Sequence, residues 1–373
     1  MKRKILVTGG AGFIGSFMAD ELLKQGHEVK ILDNLEPQVH IGGKAPVYLN
    51  KNAEFVKGDV RNRETVKKAI EGVDILFHEA ALVGVGQSMY DIKRYVDANT
   101  LGTANLLDVL VNEKHNIKKM MVASSMSTYG EGSYVCEKCG EVEPKLRPEK
   151  QMQENDWEVH CPLCEEIAKP SPTKESKKQE INSIYALTKK DQEDMFMNIG
   201  ITYGIPSVAF RYFNVYGPRQ SLSNPYTGVA AIFMSRIKNN NAPMIFEDGN
   251  QSRDFISVHD IVQANILAME KSSADYEIFN VGTGKQVTIK QVAEVLAKLY
   301  GKDLEPHIVG KFRKGDVRHC FSDITKIKSK LGFSPKVSFE DGMKELIAWA
   351  GNIEAVDMVE KATEELRKKG LLG

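Results

Sequence analysis

The chain has 373 residues, 42% of them hydrophobic, enough for one large domain or two intimately packed ones. Lys+Arg and Asp+Glu each count 50, so the formal net charge is zero and neither a nucleic acid nor an anionic membrane surface is indicated as a partner. No apolar run is long enough to span a bilayer, and Met1 to Lys4 lead straight into an apolar strand with no room for a signal peptide. A soluble cytoplasmic protein is expected, its five cysteines serving as thiols or metal ligands and not as disulfides.

Lys4 to Thr8 reads as a short buried strand, since Ile5, Leu6 and Val7 are continuous and apolar. Gly9, Gly12 and Gly15 follow, then helix-like sequence through Gln25. Such a strand, turn and helix bind a pyrophosphate. The first glycine permits the tight turn, the second lets the backbone approach the phosphates, and the third lets the helix pack on the sheet. The helix N-terminus adds free N–H groups and a partial positive charge. The spacing is GxxGxxG, and glycine triplets alone are common. Here a strand precedes, a helix follows, and an acid closes the next strand, Glu28 to Asp33. Asp33 lies 18 residues past Gly15, near the spacing of a carboxylate that binds the adenosine ribose. Its charge would repel the extra phosphate of NADP, so NAD is the expected cofactor.

A third strand, Glu54 to Lys57, ends at Gly58-Asp59-Val60, where Asp59 and Val60 are expected beside the adenine. Asp59 is equally suited to cap the helix that begins near Arg63. Asp74 to His78 is a fourth strand that runs into Ala80-Ala81, small enough to let backbone approach a flat cofactor. The loop Val83 to Ser88 is too glycine-rich for core, and Asn99 and Thr103 sit on the next helix. A fifth strand, Lys118 to Ser125, stops in hydroxyls: Ser124, Ser125, Ser127, Thr128 and Tyr129. Strands alternate with helices throughout, so the fold class is α/β, a Rossmann-type doubly wound parallel sheet with ligands at the carboxyl ends of its strands.

Between Glu131 and Glu180 the composition shifts: 20 of those 50 residues are charged, against 27% for the chain, and five are prolines. The segment reads as an insertion with little core of its own. It holds Cys136, Cys139, Cys161 and Cys164, two CxxC knuckles with 21 residues between them. Four thiolates so spaced form a tetrahedral, structural zinc site, and a metal can supply stability that a small polar module lacks. A redox dithiol would need only one pair. His160 is read as a surface histidine and the lone Cys320 as core.

The helix from Ser183 to about Ile199 carries Tyr185 and Lys189, four residues apart and hence on one face. Tyrosine, with a pKa of about 10, is a poor base at neutral pH. A lysine cation beside it and the charge of oxidised nicotinamide would favour the phenolate. Ser125 can hydrogen-bond the same substrate hydroxyl and relay its proton, so Ser125, Tyr185 and Lys189 form an alcohol-oxidation set. Further on, Arg253, Arg313, Asp316 and Arg318 fall in loops, and arginine forks suit a diphosphate. A last helix, Glu354 to Lys369, is amphipathic.

Taken as an ordered set, TGGAGFIG (8–15), LDNL (32–35), GDV (58–60), ASSMSTYG (123–130), YALTK (185–189), RYFNVYGPRQ (211–220), QSRDFISVHD (251–260), FNVGTG (279–284) and RKGDVRH (313–319) resemble the extended short-chain dehydrogenase/reductase family, in its nucleotide-sugar epimerase/dehydratase branch. The resemblance implies an NAD domain over 1–130 plus 181–212, a four-cysteine zinc-binding, zinc-ribbon-like insert over 131–180, and a smaller C-terminal domain, mainly 213–373, that holds a nucleoside-diphosphate sugar. It also implies a homodimer. Carried onto the matching positions, cofactor contacts fall at Gly9, Gly12, Phe13, Ile14, Gly15, Asp33, Asn34, Asp59, Val60, Ala80, Ala81, Asn99, Ser124, Tyr185, Lys189 and Tyr212. Substrate contacts fall at Gln87, Ser88, Ser125, Tyr185, Asn214, Arg253, Arg313 and Asp316.

By the family's mechanism Tyr185 takes the C4 hydroxyl proton, hydride passes to NAD, the keto sugar turns over and hydride returns to its other face. Related dehydratases carry Asp-Glu directly after the catalytic hydroxyl, and decarboxylases a glutamate at the second position. This chain has Met126 and Ser127, so elimination is disfavoured and 4-epimerisation leads. DNLEPQVH (33–40), VGVGQSMY (83–90) and the insert are most similar to dTDP-L-rhamnose and UDP-glucose 4-epimerases. The alternatives are a one-way reductase or another sugar-nucleotide epimerase or dehydratase, and, in another class, a non-catalytic NAD-sensing protein. From Ser125 to Tyr185 is 60 residues, more than the family commonly has. The excess is the insert, expected near the cleft mouth as a lid or dimer contact that narrows substrate choice.

Overall fold

The computed structural model describes residues 2–373. Seven parallel strands form the main sheet: β1 (Lys4–Thr8), β2 (Glu28–Asp33), β3 (Glu54–Lys57), β4 (Ile75–His78), β5 (Lys119–Ser125), β6 (Ser207–Tyr212) and β7 (Glu277–Val281). Their spatial order is β7-β6-β5-β4-β1-β2-β3, and every neighbouring pair is parallel. The order reverses at β1, with β4 on one side and β2 on the other. A crevice therefore opens above the carboxyl end of β1, where such sheets bind ligands.

Both faces of the sheet are covered, which is why its strands read as continuous apolar runs. Ile5, Val7, Ile31, Phe77, Met121 and Phe210 pack on one face against Met18 and Leu22 of helix α1 (Phe13–Lys24) and against Ile261, Ala264 and Ala268 from the helix Val258–Glu270. Leu6, Leu32, Leu76, Met120, Val122 and Ala209 point the other way, onto Leu106, Leu107, Leu110 and Phe196. Phe196 belongs to helix α2 (Ile184–Tyr203), capped by the Ser183 hydroxyl, which accepts from the Ala186 amide, and ended by left-handed Gly204.

The segment after 213 builds a second core from Phe233, Ile237, Ile245, Val292, Leu296, Met343 and Leu346. It does not stay apart from the first domain, since it returns to supply β7 and the helix Val258–Glu270 to the main sheet. The insert forms a three-stranded antiparallel sheet with Ser133–Cys136 at its centre, between Gly140–Val142 and Lys169–Ser171. Its own core is Tyr134, Cys136, Val142, Val159, Cys161 and Ala168, so two of six core side chains are knuckle cysteines. Among the described residues no helix is long and apolar enough to cross a membrane.

Candidate active site

The glycine turn is set by steric need. Gly9 has φ of +68°, and a Cβ on it would stand 2.8 Å from the Ala80 backbone. A Cβ on Gly15 would meet the Gly9 carbonyl oxygen at 2.3 Å. The N-terminus of α1 therefore faces the crevice, and Gly9, Gly12, Phe13, Ile14 and Gly15 line a cavity of about 620 Å³. Asp33, Asn34, Asp59, Val60, Ala80, Ala81, Ser124, Ser125, Tyr185, Lys189 and Tyr212 line the same cavity. So do Asn214, Arg253, Arg313 and Asp316.

Asp33 serves the loop as well as facing the cavity. Its carboxylate accepts from the Ala11 amide at 3.0 Å and the Leu35 amide at 2.8 Å, which leaves one lone pair free on each oxygen. Asp59 does not cap the following helix, because Asn62 does so by accepting from the Thr65 amide. Asp59 instead pairs with Arg61 and Asn34. These bonds outweigh burial and hold its carboxyl near pKa 2.

Three expected contacts stand behind the cavity wall. Asn99 is fully buried, with its amide bridging Leu82 of the glycine-rich loop to Thr188 of α2. Ser88 accepts from the Tyr185 amide at 3.0 Å and donates to the Val85 carbonyl. Gln87 bonds Gln38 and the Tyr95 hydroxyl. All three bond to neighbours in the wall and do not line the cavity themselves. The sequence reads Val83 to Ser88 as a loop, whereas Val85–Ser88 closes into one short helical turn that holds Gln87 and Ser88, and Asn99 lies in the widened, π-helical turn Val96–Leu101. Ser124 likewise spends its hydroxyl on Glu193, at 2.7 Å.

Burial pushes the Tyr185 phenol up to about pKa 12, and its bond with Ser125 pulls only partly the other way. The expected lowering rests on Lys189 together with the charge of oxidised nicotinamide, and in the chain by itself burial prevails. Lys189 directs its ammonium to the Ala123 carbonyl and the Gln192 side chain, both at 2.8 Å, and has one further N–H to offer. Burial lowers the Lys189 pKa, and the Glu79 carboxylate opposes that fall. Glu79, on the cavity wall, is a residue sequence reasoning passed over. It accepts from the Tyr212 hydroxyl at 3.0 Å, which in turn accepts from Asn265 at 2.7 Å. Its only signal in the sequence was an acid between His78 and Ala80 at a strand end.

At the other end of the cavity Asp316 ties Arg253 at 3.0 Å to Arg313 at 2.8 Å. Arg313 also lies over the Phe246 ring, 5.0 Å from its centre. Four further amides on the wall, Asn182, Asn214, Gln220 and Gln251, each keep a buried oxygen with no partner among the described residues. The last helix, Val359–Lys368, supplies Val359, Ala362 and Leu366 to the wall.

The four cysteine sulfurs lie within 4.8 Å of one another. Backbone amides of Cys139 and Lys138 donate to Cys136, and that of Leu163 to Cys161 at 3.4 Å. His160 takes no part, pairing with Asp156 at 2.9 Å. Cys320 is buried beside Thr173. No residue between 131 and 180 lines the cavity, so the insert is not a lid over it in this structure.

Comparison with known proteins extends over more than nine-tenths of the chain. The profile of the NAD dependent epimerase/dehydratase family matches residues 5–150, and that of the GDP-mannose 4,6 dehydratase family residues 167–346. A dTDP-L-rhamnose 4-epimerase of Burkholderia thailandensis is 33% identical over 93% of this chain and 94% of its own length. The crystal structure of a UDP-glucose 4-epimerase with UDP-glucose, from Thermotoga maritima, superposes with a TM-score of 0.75 at 34% identity, covering 93% of this chain and 98% of that one. A UDP-glucuronic acid 4-epimerase from Bacillus cereus, in complex with UDP-glucuronic acid and NAD, gives 0.76 at 26% identity, covering 94% and 100%.

Proposed function

The chain belongs to the NAD-dependent epimerase/dehydratase family, and within it we propose a nucleoside-diphosphate-sugar 4-epimerase that keeps its NAD. One observation carries the reading: the glycine turn, the set Ser125, Tyr185 and Lys189, and the arginine pair Arg253 and Arg313 all face a single cavity. Bound NAD would accept a hydride from the sugar and return it. The glycine turn would hold its pyrophosphate, and Asp33, through its free lone pairs, the ribose. Tyr185 would take the C4 hydroxyl proton at its phenolic oxygen, with Ser125 bonded to the same hydroxyl. The remaining N–H of Lys189 and the cofactor's charge would bring the phenol down from about 12. Arg313 would grip the diphosphate, and Arg253, whose terminal nitrogens go to Asp316 and to the Ser252, Val317 and Arg318 carbonyls, would add its charge and its remaining Nε–H. The unpartnered oxygens of Asn182, Asn214, Gln220 and Gln251 suit a ligand rich in hydroxyl and N–H donors.

A dehydratase is the less favoured reading, although part of the chain matches such a profile, because Met126 and Ser127 offer no carboxylate after Ser125. On this assignment 1–130 with 181–212 is the NAD domain and 213–373 mainly the substrate domain. The insert is a zinc-ribbon-like module holding one structural zinc through Cys136, Cys139, Cys161 and Cys164. The clustered sulfurs and the N–H groups aimed at them support a thiolate site. A homodimer follows the family pattern, and Leu101 and Leu187, 54% and 40% exposed on adjacent helices, are suited to its interface.

The test is a substrate panel without added cofactor, read by NMR of the anomeric signals: UDP-glucose, UDP-N-acetylglucosamine, dTDP-L-rhamnose and GDP-mannose. A new 4-epimer is expected with one of them, and Tyr185→Phe should abolish it while NAD stays bound. No turnover of any sugar, or full turnover by the Phe variant, would overturn the assignment.

A further inference from the structure

The insert touches the rest of the molecule through buried charge. Arg147, with its side chain 1% exposed, makes a bidentate pair with Glu247, both bonds 2.9 Å. It also donates to the carbonyls of Trp157 at 2.9 Å and Asp316 at 3.4 Å. Arg318, fully buried, donates to Glu158 of the insert at 2.5 Å, to Glu247 at 2.9 Å and to Asp248 through two bonds. Glu131, at the root of the insert, accepts from the amides of Arg318 and His319 at 2.9 and 2.8 Å. Four acids and two arginines thus close one network between insert and substrate domain, buried at Arg147, Arg318, Glu131 and Glu247 and partly open to water at Glu158 and Asp248. Burying such charges is costly unless they are paired; the terminal nitrogens of both arginines are, although each Nε has no partner among the described residues, so loss of one acid leaves a buried charge to bear that cost.

Two features give the network a direction. Glu247 sits at φ of +54°, a left-handed conformation that favours glycine. A side chain is kept there despite backbone strain, and its oxygens go to Arg147 and Arg318. Strain of this kind persists where surrounding contacts over-determine it. On each side of the network stand cavity residues. Phe246 precedes Glu247, and Asp316, whose carbonyl Arg147 holds, carries Arg253 and Arg313 on its carboxylate. At the insert end, Glu158 immediately precedes the hairpin in which Ala168 bonds Val159 and Cys161 bonds Glu166, closed by the Cys161 and Cys164 knuckle.

We propose that the cysteine module is a brace for the phosphate end of the substrate cavity. Through Glu158 and Arg147 it clamps Arg318 and Glu247, and so fixes Phe246, Arg253, Arg313 and Asp316 for a nucleoside diphosphate. Arg147, Glu158 and Glu247 are positioning residues. The inference rests on the zinc and nucleotide-sugar readings above. It departs from a lid, since the insert acts from behind the wall.

The test uses the full chain carrying its native zinc and NAD. Three perturbations are compared: removal of the metal with a chelator, Glu158→Gln, and Glu247→Gly, the last relieving the backbone while deleting the anchor. Hydrogen exchange is followed by mass spectrometry, and binding of UDP and dTDP by calorimetry. Faster exchange over 246–253 and 311–318 is expected in each case, with residues 4–15 unchanged and NAD retained. Nucleotide affinity should fall roughly tenfold, within the usual range of coupling between sites. KM should rise with it while kcat holds, and both variants should keep one zinc per chain. Unchanged exchange, or faster exchange with unchanged UDP and dTDP affinity, would overturn the brace, as would native protein without zinc. Wild-type protein that holds NAD but binds neither nucleotide would remove the nucleotide-sugar reading, and with it the claim that the brace serves such a ligand.

Discussion

Single residues in the cleft are governed by burial. His78 and Lys189 are buried, Tyr185 and Glu79 stand half-buried in the cavity wall, and each shifts toward its neutral form. His78 is held down at about pKa 3, and burial raises Glu79. Lys189 shifts down for the same reason, and the Glu79 carboxylate is the group that resists it. With Glu79 replaced by Gln, Lys189 loses that support and gives up its proton at lower pH. The alkaline limb of kcat/KM should therefore move down by about one pH unit, the scale of a single nearby charge. A pH–rate profile of Glu79→Gln beside wild type checks this, and coincident limbs would show that Glu79 does not act on Lys189. The glycines, Asp33, Tyr185 and Lys189 were legible because their chemistry is tied to spacing along the chain. Glu79 was not, because an acid at a strand end acquires meaning only when Tyr212 and Lys189, more than a hundred residues later, are placed beside it.

Helix α2 carries Tyr185 and Lys189, the proposed base and its neighbour, and its seat is a buried pair. Glu193, eight residues beyond Tyr185, accepts from Arg211 of β6 at 3.0 and 2.6 Å and from Ser124 of β5 at 2.7 Å. These bonds join helix to sheet below Tyr185 and Lys189. Glu193→Ala would leave the Arg211 charge buried with only the Tyr129 hydroxyl and the Glu175 carbonyl as partners. We expect a loss of about 3–5 kcal/mol in stability, the usual result of removing one partner of a buried pair. Urea unfolding measures it, and a change below about 1 kcal/mol, the scale of an exposed pair, would show that the seat is not needed. Five of the seven strands were readable within one residue of their ends, and β1, β2 and β3 in full, because both faces of a covered parallel sheet must be apolar. The cap that Asp59 could also have supplied comes from Asn62 instead, since Asp59 turns to Arg61 and Asn34.

At the scale of the molecule, chain order and spatial order part company. The segment after 213 was expected to be mainly a separate substrate domain, yet it returns to complete the NAD-binding sheet with β7. The insert, expected at the cleft mouth, meets the substrate domain instead. On the homodimer proposed above, light scattering should give a mass near twice 41.6 kDa. Leu101→Glu should reduce it toward a single chain by placing a charge in the apolar interface. A wild-type mass of one chain would dismiss the dimer.

The sequence by itself determined the α/β class, the glycine turn with its acid, the Tyr185 and Lys189 helix face, and the paired cysteine knuckles. Each of these is a local pattern whose period or spacing is set by backbone geometry. Only the tertiary structure decided that Gln87, Ser88 and Asn99 stand behind the wall, that the last helix forms part of it, and that the insert reaches the Arg253 and Asp316 end of the cavity through Arg147 and Arg318. Those facts depend on partners distant in sequence, 100 residues apart for Arg147 and Glu247 and 160 for Glu158 and Arg318. A charged residue in a polar segment reads as surface until the fold buries it against its counter-ion.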